Sequence, residues 1–177
     1  MPLPRINPAL ALALGLGFLS SAQAQDTATV LPSVENAYIS VSNGNCLAAD
    51  ASLVVPNDDL SNCVSINTSQ GDIYPAEYND DTGVLYLGLD VDNNGNFRLS
   101  FIQPRRGQIQ PQWFYDEAVL GDGVYPRLYY SIDGSDPRSS FGPDWRVRAD
   151  GTTLAPVVEG DNVESTVALL LIERDTE

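Results

Sequence analysis

Four residues match the beginning of a calcium-binding loop, in which oxygen atoms at alternate positions coordinate a hard cation. These residues are Asp90, Asp92, Asn94 and Gly95. The twelfth position of such a loop needs a bidentate glutamate, and here it is Phe101. The alternative is an ordinary polar hairpin turn in which Asp90 pairs with Arg98. We therefore assign no metal ligand, and calcium is the one cofactor for which the sequence offers a candidate.

The chain contains no histidine, and this absence excludes several classes of site. Ser-His-Asp and Cys-His nucleophiles need an imidazole base, and the commonest zinc and copper sites need an imidazole ligand. Carboxylate chemistry remains, because 24 residues are acidic. Neighbours such as Asp116 and Glu117 point to opposite faces of a strand and cannot flank one bond. We therefore name no catalytic residue.

The stretch around the calcium-like motif predicts a β-hairpin. A three-residue loop, 93–95, ending in a left-handed Gly95, places Asp90 opposite Arg98 and collects the apolar side chains on one face. Those apolar side chains belong to Leu87, Leu89, Val91, Phe97, Leu99 and Phe101. A two-residue turn would split this set, so we expect the three-residue register.

A second hairpin carries the predicted binding residues. A three-residue loop, 121–123, would place Glu117 opposite Arg127 and leave Asp116 as a misfit opposite Leu128. Four aromatic residues would then share the face of the Glu117 pair, namely Trp113, Tyr115, Tyr125 and Tyr129. Exposed aromatic patches often mark binding sites, so this face predicts contact with a glycan or a protein partner. The alternative is that another strand covers the face and that these residues are core.

Short apolar segments separated by Gly, Pro, Asn and Asp turns account for the rest of the chain, and no helical stripe is present. About eight to ten short strands of this kind predict an all-β fold, an antiparallel β-sandwich, with a flattened β-barrel as the alternative. Residues 166–173 contain an apolar run without a polar break, which predicts a strand covered on both faces or lying between sheets. Pro75 interrupts the segment 73–78 and predicts an edge strand or an irregular segment there.

Residues 1–24 resemble an export signal, with Arg5 before an apolar run and Ala22–Ala24 as a small-x-small cleavage site. The run is shorter than the roughly 20 residues of a membrane-spanning helix, so we expect no membrane span. Residues 25–36 are expected to be a flexible leader or an edge strand, and residues 37–177 a single β domain. The expected location is periplasmic or extracellular.

Cys46 and Cys63 are the only cysteines, and an oxidising compartment would allow them to pair. Because they lack C-x-x-C spacing, we expect a structural disulfide, which is worth roughly 3 kcal/mol for a loop of this size. The formal net charge of -15 disfavours nucleic acid and anionic lipid as partners.

Tyr129 to Pro137, YYSIDGSDP, resembles a short stretch of some immunoglobulin-like modules attached to carbohydrate-active enzymes. The resemblance implies the sandwich fold alone. The sequence therefore predicts an exported, non-enzymatic binding or assembly protein of undefined oligomeric state. A carboxylate-dependent, carbohydrate-active hydrolase is the alternative, and a calcium-stabilised structural subunit is a third hypothesis that overlaps the first.

Overall fold

The computed structural model describes residues 29–77, 83–103, 112–121, 123–131, 141–158, 160–161 and 163–175. The expected export signal and most of the YYSIDGSDP stretch lie outside the described residues. The described residues contain thirteen strands where about eight to ten were expected, because several strands are only two residues long and are too short to show alternation. The strands are β1 Thr29–Val30, β2 Val34–Val41, β3 Cys46–Leu47, β4 Leu53–Val54, β5 Ile66–Ser69, β6 Asp72–Pro75, β7 Tyr86–Val91, β8 Phe97–Ile102, β9 Trp113–Leu120, β10 Gly123–Tyr130, β11 Trp145–Val147, β12 Leu154–Pro156 and β13 Leu169–Glu173.

The described residues form no helix, and all strand pairs are antiparallel. The sheets do not close into a barrel, so the predicted all-β, sandwich-like fold is confirmed. Among these residues, no helical segment has the length and apolar character that a bilayer span requires.

The larger layer is a nine-stranded sheet in the order β1-β9-β10-β13-β2-β3-β4, with β5 joined to β2 and β6 joined to β5. Strand β13 lies between β10 and β2, and its residues Leu169, Leu170 and Leu171 are all buried. An unbroken apolar run suits this position because both faces of a central strand are covered. Pro75 lies in β6, which pairs only with β5 among the described strands, as expected for an edge position.

Two hairpins, β7–β8 and β11–β12, share one hydrophobic core with the nine-stranded sheet. Trp113 of β9 joins these parts, because its indole Nε1 donates a hydrogen bond of 2.8 Å to the carbonyl of Leu87 in β7. The same indole stacks on Trp145 of β11, with ring centroids 6.1 Å apart. The core is therefore centred where three elements meet.

The register of the first hairpin is the predicted one. Strand β7 pairs with β8 so that Leu87 faces Phe101, Leu89 faces Leu99 and Val91 faces Phe97. Arg98 Nη2 lies 3.0 Å from Asp90 Oδ2, which is the expected opposite-charge pair on the other face. Gly95 has a φ of +81°, the left-handed conformation that the three-residue loop requires.

The register predicted for the second hairpin is wrong by one residue. Gly123 pairs with Leu120, so the loop contains two residues instead of three, and Gly121 adopts a φ of +46°. Arg127 consequently faces Asp116 instead of Glu117. The predicted register also gave Arg127 an acidic partner, Glu117, but it placed Asp116 opposite the apolar Leu128. In the observed register Asp116 is opposite Arg127.

The predicted disulfide is confirmed. Cys46 and Cys63 are bonded, with their Cα atoms 5.7 Å apart, and both are buried. The bond connects β3 to the loop that precedes β5. That loop forms part of the groove described below.

Candidate functional site

The four aromatic residues predicted to form a binding surface do not share a face. A one-residue change of register moves every side chain of one strand to the other face of its partner. Trp113 and Tyr115 therefore lie on the core side, where Trp113 is 0% exposed and Tyr115 packs against the core. Tyr125 and Tyr129 lie on the opposite face, alongside Ala118 and Phe114. The predicted platform is therefore not formed, because its largest ring is inaccessible.

Tyr129 instead belongs to a compact ionic cluster with Asp116 and Arg127. Arg127 donates from Nε to Asp116 Oδ1 at 2.8 Å and from Nη2 to Oδ2 at 2.5 Å. The Tyr129 hydroxyl also donates to Asp116 Oδ2, at 2.5 Å. A bidentate arginine contact and a phenol donor satisfy most of the carboxylate's acceptor sites, so the cluster is a closed structural unit.

The pKa shifts in this cluster follow from its geometry. Burial favours the protonated form of Asp116, but the hydrogen bonds from Arg127 and Tyr129, together with the charge of Arg127, outweigh burial and lower the pKa of Asp116. Burial and the hydrogen bond to Asp116 raise the pKa of Tyr129 to about 12. Tyr129 therefore stays a neutral phenol at physiological pH and does not act there as a base or nucleophile.

The calcium-like motif is organised as a hydrogen-bonded turn. Asp92 Oδ1 accepts hydrogen bonds of 2.9 Å from the backbone amides of Asn94 and Asn96, and Oδ2 accepts one of 2.7 Å from Arg148 Nη1. These contacts lower the pKa of Asp92 to about 2. The hydrogen bond from the Asn96 amide has the largest effect, and the one from Arg148 has the next largest. The described part of the chain contains no cluster of three or more Asp, Glu, His or Cys residues that could hold a metal ion.

A groove with two adjacent chambers runs between the β5–β6 hairpin and the start of β7. Its larger chamber measures about 840 Å³ and its smaller chamber about 410 Å³. Tyr74 and Val84 line both chambers. The polar side chains of the larger chamber are those of Ser61, Ser65, Glu77 and Arg174, and those of the smaller chamber are Ser69, Gln70 and Asp72.

The β5–β6 hairpin shapes the smaller chamber. Gln70 and Gly71 have φ values of +50° and +89°, so both central residues of the two-residue turn are left-handed, as a type I′ turn requires. Beyond the turn, side chains alternate across β6, with Ile73 buried in the core and Tyr74 lining the groove. Tyr74 meets Tyr86 of β7 edge to face, with ring centroids 6.2 Å apart. The two rings form a single aromatic wall.

Arg174 follows β13 directly and lines the larger chamber. Its Nη2 donates hydrogen bonds to the carbonyls of Cys63 at 2.7 Å and Leu60 at 3.2 Å. The guanidinium carbon lies 5.6 Å from the ring centroid of Tyr38. Its Nε is buried and has no hydrogen-bond partner. Arg174 therefore attaches the end of β13 to the disulfide loop and brings a positive charge to the larger chamber.

The sequence interpretation did not identify Tyr74, Tyr86 or Arg174. One local signal was present, because Gln70-Gly71 separates two alternating segments and predicts a tight hairpin. No local signal reports that β7 and the end of β13 approach this hairpin.

No family model, curated protein or solved structure matches this chain.

Proposed function

We propose that this protein is an exported, non-enzymatic binding protein that holds a segment of a glycan in the groove beside β6. The observation that carries the proposal is a pair of adjacent chambers that share Tyr74, with Tyr86 packed edge to face against it in the smaller chamber. Tyrosine offers an apolar ring and a polar tip, which matches a sugar ring with its apolar C–H face and its rim of hydroxyls.

The remaining lining supports a ligand rich in hydroxyl groups. Serine hydroxyls and the Gln70 amide can donate and accept hydrogen bonds at the chamber walls, and the carboxylates of Asp72 and Glu77 can accept them. The chambers, at about 840 and 410 Å³, are within the range of about 300–1,000 Å³ that is typical of ligand sites. The Cys46–Cys63 disulfide supports action in an oxidising compartment, periplasmic or extracellular.

A carboxylate-dependent glycoside hydrolase is the second candidate. It is favoured by one observation, the presence of Asp72 in the smaller chamber and Glu77 in the larger one. Such hydrolases need two carboxyl groups on either side of the scissile bond. A bound glycan that is cleaved, with cleavage lost in Glu77→Gln, would favour this candidate over the binding protein.

Calorimetric titration of neutral and acidic oligosaccharides into the full chain and its variants tests the proposal. Tyr74→Ala and Tyr86→Ala should each weaken binding at least about tenfold, because buried aromatic anchors dominate the affinity of such sites. Tyr125→Ala is the matched control, since Tyr125 lies on the β9–β10 hairpin and lines neither chamber. The proposal fails if no oligosaccharide binds, or if the control weakens binding as much as the groove variants do.

A further inference from the structure

Among the arginines that the structure describes, Arg174 is distinguished by its electrostatics. The other four each lie within 4.0 Å of an aspartate, in the pairs Arg98–Asp90, Arg127–Asp116, Arg146–Asp161 and Arg148–Asp92. Arg174 forms no such ion pair within the described residues, although the chain carries 24 acidic residues against 9 basic ones. The charge of Arg174 acts on Asp59 at longer range, but no described carboxylate contacts its guanidinium.

The unpaired charge lies in the proposed glycan groove. The two hydrogen bonds of Nη2 to backbone carbonyls satisfy one end of the guanidinium, while the buried Nε has no acceptor. Arginine keeps its positive charge because it does not lose its proton in proteins. A ligand that brings an anionic oxygen into the larger chamber, which Arg174 lines, would offset that charge.

The protein's own negative charge limits the ligand but does not exclude an acidic one. At physiological ionic strength, charges separated by more than about 8 Å are largely screened, so distant carboxylates matter less than a direct contact. A charge-assisted hydrogen bond from arginine to a carboxylate is roughly twice as strong as a neutral one. Glu77 in the same chamber and Asp72 in the other one favour hydroxyl groups at their own positions.

We propose that the ligand is an acidic glycan, one whose uronate carboxylate accepts a hydrogen bond from Arg174 while neutral parts of the chain lie against Tyr74 and Tyr86. This inference rests on the proposed function and deepens it, because it names the ligand class and the residue that selects it.

Paired ligands test the inference without altering the protein. The probes are galacturonate, mannuronate and glucuronate tetrasaccharides, each measured by calorimetry beside its carboxyl-reduced, neutral counterpart. Each pair differs only in the carboxyl group. We expect at least one acidic tetrasaccharide to bind the full chain at least about tenfold more tightly than its neutral counterpart, since each tenfold corresponds to about 1.4 kcal/mol.

Variants then assign the preference to Arg174. Arg174→Gln should reduce the ratio of acidic to neutral affinity within each pair to about one, whereas Arg174→Lys, which keeps the charge, should retain part of the preference. Arg98→Gln is the control, because Arg98 carries the same charge but pairs with Asp90 and lines neither chamber. Thermal melts of each variant verify that it is folded.

The outcomes separate the two proposals. Neutral tetrasaccharides that bind as tightly as their acidic counterparts would overturn the uronate inference and leave glycan binding standing. Equal losses for both members of a pair in Arg174→Gln would also overturn it, because Arg174 would then only shape the groove. Failure of every tetrasaccharide, acidic and neutral, to bind the wild-type chain would remove both proposals.

Discussion

Asp116 is the most enclosed carboxylate among the described ion pairs, with a side chain that is 8% exposed, compared with 32% for Asp90. The chain therefore contains one arginine–aspartate pair that is mostly enclosed, Arg127–Asp116, and one that is more exposed, Arg98–Asp90. Exposed pairs contribute little to folding because water and salt screen them, whereas breaking an enclosed pair leaves an unpaired charge. Burial, more than distance, should decide what each pair contributes.

Asp116→Asn should lower the free energy of unfolding by about 1–3 kcal/mol, because Arg127 loses its counter-charge in a half-buried position. Asp90→Asn is the matched control and should cost less than about 1 kcal/mol. Urea denaturation followed by circular dichroism measures both. Equal costs for the two substitutions would contradict the assignment of Asp116 as the structurally important carboxylate.

At the scale of elements, Arg148 connects two hairpins. It follows β11, and it donates from Nη1 to Asp92 at 2.7 Å and from Nη2 to the carbonyl of Phe97 at 2.6 Å. Both acceptors flank the turn of the β7–β8 hairpin. The turn that resembles a calcium loop is thus held by an arginine from another hairpin.

This connection predicts a pH dependence for the turn. The folded-state pKa of Asp92 is lowered to about 2 from 3.8, so its stabilising contribution is present above the ordinary value and is lost as the pH falls from about 4 towards about 2. Carboxyl carbon NMR should report this pKa directly. Arg148→Met should move it only part of the way back, because the amides of Asn96 and Asn94 still donate to Asp92.

Arg98→Met serves as the control for that titration, since Arg98 pairs with Asp90 in the same hairpin. It should leave the Asp92 pKa nearly unchanged. An ordinary pKa for Asp92 in the wild-type protein, or an equal shift in both variants, would refute the role given to Arg148.

The two long hairpins show how far local rules reach. In β7–β8, a single register keeps the six apolar side chains together, and the structure contains that register. In β9–β10, two registers one residue apart each offer an opposite-charge partner for Arg127, so local pairing rules do not distinguish them clearly. The core decides between them, because only the observed register places both Trp113 and Leu128 inside.

At the scale of the whole molecule, Trp113 is one of the residues through which the nine-stranded sheet contacts the two hairpins. Its indole donates a hydrogen bond to the Leu87 carbonyl, stacks on Trp145 and packs edge to face against the ring of Tyr130, with the centroids 5.0 Å apart. The Trp113 side chain therefore stabilises the fold in two ways, by filling space in the core and by donating a hydrogen bond to a buried carbonyl.

Trp113→Phe should therefore lower the free energy of unfolding by about 2–4 kcal/mol, through a cavity and an unsatisfied Leu87 carbonyl. Trp145→Phe is the matched control, because Trp145 is equally buried but its indole lies 3.5 Å from the carbonyl of Leu128, the limit of a hydrogen bond. We expect the control to cost about 1 kcal/mol less in urea denaturation. A smaller cost for Trp113→Phe than for the control would contradict this account.

The sequence by itself determined the all-β class, the register of β7–β8, the disulfide and the central, doubly covered character of β13. These features depend on period-two alternation, turn residues, apolar runs and the presence of only two cysteines, all of which can be read over short stretches. It did not identify the binding surface, because that requires knowing which distant strands become neighbours. Tertiary structure buried Trp113 and brought the β5–β6 hairpin, β7 and Arg174 around one groove. Burial and long-range strand order decided these outcomes, since both depend on how the whole chain excludes water from a shared core.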